Sequence, residues 1–309
     1  MDNLSYISDM LDICRNNYHY LMAFPNVQGV GVGFKSINGK ETNIPSIHVL
    51  VDKKINISNL TQRYSIPSKY MKFHTDIIET GIHRIHGLND RIRPLQGGYS
   101  VSAANSNVAG SLGCIVTKGN VLKKEYFILN SNHIIAGENQ FKIGTDIVQP
   151  SHIHGGVAPT DSIARLFKFI PIKFKTAIST PSNYMDCAIA RLNDKSLASK
   201  MLNSIGKIKG VADPILKSTI RKIGAGTGLT QGTIATFGVT LDVKYEDNKS
   251  ARFLNQFRTN LKTDDGDSGA VIVDKNNKIV GLLLGGGDDS SVFTAIKPIL
   301  NALEVSIFT

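Results

Sequence analysis

The chain has 309 residues, 41% apolar and 19% charged, the balance of a folded protein rather than a disordered one. No stretch reaches the ~18 unbroken apolar residues of a membrane span, so no membrane partner is expected. The net charge is +10, but Lys and Arg are scattered through "VDKK", "LKKEYF", "FKFIPIKFK" and "STIRKIG" without interleaved stacking aromatics. That pattern reads as a solvated basic surface, with no specific nucleic-acid partner.

The amino terminus, "MDNLSYISDMLDICRNNYHYLMAF", carries Leu4, Ile7, Met10, Leu11 and Cys14 at helical spacing, which predicts an amphipathic helix. Asp2, Asp9, Asp12 and Arg15 interrupt its apolar pattern, and there is no basic start with a cleavage site, so it does not read as a secretory signal. Cys14, Cys114 and Cys187 form no CxxC pair and no disulfide framework, which predicts a cytoplasmic protein. Two β-rich stretches, 27–35 and 46–53, then flank Asn38-Gly39 as a hairpin. Gly29, Gly31 and Gly33 precede no helical pattern, so they are not a phosphate loop. "TDIIETG" adds a strand, and the basic, turn-rich residues 82–98 read as a linker. These features predict a small α+β domain over 1–92, helix plus hairpin, ahead of a second domain over 93–309.

From Tyr99 onward the pattern is short strands separated by Gly, Asn and Asp, which predicts a mainly β sandwich or barrel. Only "KPILNALEVSIF" near the end reads as helix. "HIH", His152 and His154, offers two metal ligands but no third nearby, so no metal is expected. "GAGTGLTQG", residues 224–232, lacks the lysine of a phosphate-binding loop, and its glycines read as structural.

Chemistry concentrates at "DDGDSGAVIVD", where Ser268 sits between Asp267 and Gly269 ahead of a strand. Gly, Asp and Ser also make ordinary turns, so the serine alone decides nothing. A serine hydroxyl becomes a nucleophile only beside a base, commonly an imidazole oriented by a carboxylate. His133 lies where the apolar run of "YFILNSNHIIA" ends in small polar residues, and Asp186 directly precedes the apolar strand of "NYMDCAIARL".

In the order His, Asp, Ser, the stretches "SNHIIA", "DCAIARL" and "GDSGAVIVD" resemble the three catalytic segments of chymotrypsin-like serine proteases. "AGSLGCIV", "ILNSNHIIAG" and "GTGLTQGTI" are similar to the bacterial and plant branch related to the narrow-leaf proteases, some of which carry a "VGVGxK" hairpin near the amino terminus, as "VGVGFK" does here. The resemblance implies a double β-barrel, barrel 1 over about 97–203 and barrel 2 over about 204–309. It makes His133 the general base, Asp186 its orienting partner and Ser268 the nucleophile. The Gly266 and Ser268 N–H groups become the oxyanion hole. "KIVGLLLGGG" resembles the strand that holds substrate backbone, so Leu284, Gly285 and Gly286 are expected to bind substrate. Lys262, six residues before Ser268, falls where the family's primary specificity pocket has its base and would disfavour basic side chains. In secreted relatives the residue at Asp267 anchors an amino terminus freed by cleavage, and no such activation sequence is visible here. Asp267 must find another partner or leave the oxyanion hole unformed.

The expectation is an intracellular serine endopeptidase acting on a protein or peptide, needing no cofactor, and controlled by its amino-terminal domain, a partner or homo-oligomerisation. The competing expectation is a silent protease-fold protein that binds a peptide or partner without cutting it.

Overall fold

A computed structural model describes residues 3–37, 39–55, 65–81, 87–120, 123–286 and 290–309. The chain divides into two compact units, Met1–Ile85 and His86–Thr309. Among the described residues no helix is long and apolar enough to cross a membrane.

The first unit comprises α1 (Asn3–Asn16), α2 (His19–Met22), β1 (Val27–Ile37), β2 (Lys40–Val51), β3 (Lys69–Tyr70) and β4 (Phe73–Glu79). Its sheet runs β1-β2-β4-β3, with β1 and β2 antiparallel and β2 and β4 parallel. Met10, Ile13 and Leu21 from the helices pack on Ile47, Val49 and Phe73. Leu11, expected on the apolar face, is exposed. Because strand side chains alternate, Val30 and Val32 join this core and the three glycines of β1 take the opposite face. A Cβ on Gly33 would lie 2.2 Å from the His48 ring, so glycine there lets imidazole pack flat on backbone. Gly39 turns the hairpin at φ +77°, while Asn38 lies outside the described residues.

The second unit begins with β5 (Ser100–Ala103), β6 (Gly110–Ser111), β7 (Cys114–Lys118), β8 (Glu125–Asn130), α3 (Asn132–Ile135), β9 (Asp146–Val148) and β10 (Ser162–Phe169). It continues with β11 (Ser182–Asn183), β12 (Ala188–Leu192), β13 (Met201–Leu202), β14 (Gly206–Lys207), β15 (Thr219–Gly224), β16 (Gly228–Lys244) and β17 (Ser250–Thr259). Last come β18 (Val271–Asp274), β19 (Ile279–Gly286), β20 (Ser291–Ala295), α4 (Ile296–Leu303) and β21 (Ser306–Ile307). The first sheet runs β21-β7-β8-β12-β10-β9-β5-β6. The second runs β11-β17-β16-β15-β18-β19-β20, and a β17–β20 pairing closes it into a ring. Together they form a double β-barrel.

Alternation along the strands explains the apolar runs. Ile115, Ile128, Ala188 and Ala190 fill the first barrel, while their neighbours Cys114, Val116, Phe127, Leu129, Cys187 and Ile189 face the other way. That second set packs on Val271, Val273, Leu282 and α4, making a core shared by the two barrels. Strands buried on both faces need no polar positions.

Three differences from the sequence expectations have plain causes. Residues 82–86 of the expected linker lie outside the described residues, but 87–98 are folded onto the second unit. Leu95 is fully buried and its N–H donates to the Leu197 carbonyl at 2.9 Å, so one apolar anchor outweighs the turn-rich composition around it. At the carboxyl end the helix stops at Glu304, whose φ is +58°, and β21 returns to pair with β7 of the first sheet. β11, before Asp186, pairs in parallel with β17 of the second sheet. The carboxyl-terminal strand and the crossing segment therefore stitch the barrels together.

Candidate active site

Asp186 ends the segment entering β12, and its side chain is completely buried. Four donors satisfy it. Oδ1 accepts the N–H groups of Asn132 (2.6 Å) and His133 (3.2 Å), and Oδ2 faces His133 Nδ1 at 2.6 Å and accepts the Tyr245 hydroxyl at 3.1 Å. The short helix α3, starting where β8 ends, presents its first N–H groups to the carboxylate and its imidazole alongside. Burial pushes the His133 imidazole down, but the Asp186 charge and hydrogen bond, with Glu138 beyond, outweigh it and leave the pKa raised.

Ser268 lies across the junction, on the turn between β17 and β18. Its carbonyl accepts the Ser111 N–H at 2.8 Å. A Cβ on Gly110 would stand 2.6 Å from that carbonyl oxygen and 2.8 Å from the Ile134 side chain, which puts the turn beside the residue next to His133. Neither Ser268 Oγ nor His133 Nε2 makes a hydrogen bond among the described residues.

The turn itself is strongly determined. Asp267 N–H donates to the Asp264 carbonyl at 3.1 Å, and Gly266, third in the turn, has φ +90°. That combination is a type II turn, which needs glycine at its third position. Ser111 Oγ donates to the Gly266 carbonyl at 2.7 Å and accepts the Ala225 N–H at 2.8 Å. Asn130 Nδ2 donates to the Ser111 carbonyl at 2.8 Å, tying the end of β8 to the same network. The Gly266 and Ser268 N–H groups make no hydrogen bond among the described residues and remain available to an incoming oxygen.

Asp267 has its partner. Its carboxylate is buried against the Lys222 ammonium at 2.9 Å, neither side chain reaching solvent. It also accepts N–H groups from Gly226 (3.2 Å), Thr227 (3.1 Å) and Asp264 (3.0 Å), and the Thr227 hydroxyl at 2.7 Å. Lys222 donates as well to Thr227 Oγ1 and to the Gly228 carbonyl. Burial draws its pKa down against the opposing hydrogen bond and charge of Asp267. This corrects the reading of "STIRKIG" as solvated basic surface. Lys222 shares a face of β15 with Ile220, inside the second barrel, because a carboxylate waits there.

Structures solved for other proteins give the architecture a name. The protease A of Thermobifida fusca superposes with a TM-score of 0.50 at 18% identity, covering 69% of this chain and 98% of that one. A glutamic acid specific serine protease with a histidine triad in substrate binding gives 0.50 at 21% identity, covering 69% of this chain and all of that one (100%). The chain has the chymotrypsin-like fold. No protein-family model matches the sequence, and no curated protein matches it.

On this chymotrypsin-like frame the other expected residues can be located. Gly285 and Gly286 end β19, pairing with Val292 and Ser291, and Leu284 is buried just before them. A pocket of about 310 Å³ lies beside them, walled by Leu241, Val243 and Val292. Lys262 is exposed, and its carbonyl accepts the Thr230 hydroxyl at 3.0 Å. It is Thr263 that meets Gly286, where a Cβ would lie 2.0 Å from Thr263 Oγ1. The Thr263 hydroxyl is in turn 2.7 Å from that of buried Ser291. His152 and His154 sit in a 3₁₀ turn, where His154 Nδ1 contacts Ser151 Oγ at 2.6 Å.

Sequence reasoning missed Lys222, Thr227, Ser111, Asn130 and Tyr245. Only Lys222 left a signal, a charge at an inward position of an alternating strand. The "GAGTGL" glycines had a use beyond spacing: a Cβ on Gly224 would fall 2.3 Å from Asp267 Oδ1.

Proposed function

We propose that this protein is a serine endopeptidase that cleaves a peptide bond through an acyl-enzyme on Ser268. His133 Nε2 takes the Ser268 proton as Oγ attacks the scissile carbonyl, then returns it to the leaving amine. Asp186 holds Nδ1 and stabilises the imidazolium. The carbonyl oxygen, now negative, is received by the Gly266 and Ser268 N–H groups. Water then enters by the same route and frees the acid. The observation that carries this reading is the Lys222–Asp267 pair, which anchors the type II turn holding Gly266, and the Ser268 that directly follows it, without a freed amino terminus. An internal lysine fills the place of that amino terminus, and we assign control to a partner, to self-association or to the first unit, taken as a regulatory or oligomerisation domain. Three free cysteines, two of them buried, fit a reducing cytoplasm. Leu284, Gly285 and Gly286 receive substrate backbone, and Lys262 disfavours basic side chains near the scissile bond.

One observation favours the second reading, a silent binder: Ser268 Oγ and His133 Nε2 are not hydrogen-bonded. Such bonds commonly tighten only when substrate arrives, so the open geometry leaves the enzyme reading standing. A fluorophosphonate probe decides. Labelling that disappears in Ser268→Ala supports the peptidase; no labelling of the wild-type chain overturns it.

A further inference from the structure

Of the four donors on Asp186, three come from α3 of the first barrel and one from a remote hairpin of the second. Tyr245 directly follows β16, at the tip of the hairpin that β17 completes. Its backbone N–H donates to the Lys249 carbonyl at 2.9 Å, closing the tip. Its ring meets the His133 ring edge-on at 5.9 Å and Phe174 at 5.4 Å, and Phe253 packs beside it. Lys249 forms an ion pair with Glu138, on the turn just past α3, and lies over Phe174. The tip therefore grips both members of the pair: the carboxylate through Tyr245, and the segment carrying the imidazole through Lys249.

A tyrosine fully committed to packing would be served as well by phenylalanine. Here the hydroxyl points at Oδ2, the oxygen that also faces His133 Nδ1, and no other side-chain hydroxyl reaches that carboxylate among the described residues. A neutral donor on Oδ2 does two things. It fixes the rotation of the carboxylate, and it withdraws charge from the oxygen that holds the imidazolium.

We propose that Tyr245 is a positioning residue for the His133–Asp186 pair, which makes the β16–β17 hairpin tip part of the catalytic apparatus. This rests on the reading of the site as a serine peptidase. The other charged groups around the pair are Glu138 after α3, Lys168 of β10, and Glu246, Asp247 and Lys249 on the tip. None of these is altered by Tyr245→Phe, which removes one oxygen and keeps the ring.

The test compares full-length wild type with Tyr245→Phe in two ways. The first follows the His133 titration and the Nδ1–H proton resonance by NMR, which needs no turnover. Loss of the hydroxyl leaves Oδ2 more basic, so His133 should hold its proton to higher pH and the resonance should move. An unchanged titration and resonance overturn the proposal. The second measures peptide hydrolysis, where kcat should fall about tenfold with KM little changed. A merely structural tyrosine would leave kcat intact in the phenylalanine variant, and that result also overturns it. Fluorophosphonate labelling of wild type is scored separately: its absence sinks the peptidase reading while the NMR comparison still judges Tyr245.

Discussion

Lys222 Nζ stands 2.9 Å from Asp267 Oδ2, with both side chains cut off from water. Either charge alone would be untenable at that depth. Together they are tolerated because each also meets N–H, hydroxyl or carbonyl groups of the turn at 225–228. The pair joins β15 to the turn that carries Ser268, so the cation that shapes this turn is supplied from inside the barrel.

Removing Lys222 should therefore be far worse than removing an ordinary surface lysine. Lys222→Met leaves the Asp267 carboxylate buried without its cation, a loss of about 3–5 kcal/mol in a denaturant midpoint series. Hydrolysis should fall by about 100-fold or more as the Gly266 and Ser268 N–H groups lose their fixed positions. Lys222→Met combined with Asp267→Asn should recover stability and not activity. Equal recovery of both would mean the pair serves folding alone.

Two pH effects follow from the same site. His133 is raised above its ordinary 6.5, and the base must be neutral, so the acid limb of kcat/KM should have its midpoint above pH 6.5. Stability runs the opposite way. The His133 contribution is fully present below pH 6.5 and lost as pH rises through the raised value. Lys222 is lowered from 10.5, so hydrolysis should decline on an alkaline limb below pH 10.5 as the ammonium is lost. Between the lowered value and 10.5 the unfolded chain binds more protons than the folded one, so this group makes stability rise with pH. A rate profile followed alongside urea midpoints checks both signs.

Much of this was legible from residue order alone. The strands around "YFIL", "DCAIARL" and "GAVIVD" are apolar on both faces because two cores share them, and small polar residues mark where each strand ends at the junction. His133, Asp186 and Ser268 stand out for that reason. What sequence could not supply was long-range pairing. Ser111 and Gly266 are 155 residues apart and Tyr245 and Asp186 are 59 apart. A serine in "GSLG" or a tyrosine before "EDN" carries no local sign of the backbone or carboxylate it will meet. Lys222 is the instructive miss: composition made it one more scattered cation, whereas its inward position on β15 marked it as paired.

Ser111 gives a prediction on the first-barrel side of the turn. Its hydroxyl bridges the Ala225 N–H and the Gly266 carbonyl, and Ser111→Ala leaves both without that partner. The cost in a denaturation series should be about 1–3 kcal/mol. Because the Gly266 carbonyl belongs to the peptide unit next to the one carrying its N–H, kcat should drop more than KM rises. A loss of stability with kcat unchanged would confine Ser111 to folding.

The glycines separate structure from substrate contact. Gly224→Ala drives a methyl to 2.3 Å from Asp267 Oδ1 in a buried, fully bonded setting, so the variant should lose both stability and hydrolysis. At Gly285 nothing lies within 4 Å of an added Cβ, so Gly285→Ala should fold with an unchanged melting profile. If substrate backbone lies along β19, that same methyl meets the incoming chain instead. KM for peptides should then rise about tenfold while fluorophosphonate labelling of Ser268, which needs no extended peptide, stays at the wild-type rate. An unchanged KM in Gly285→Ala would move the substrate strand away from this edge.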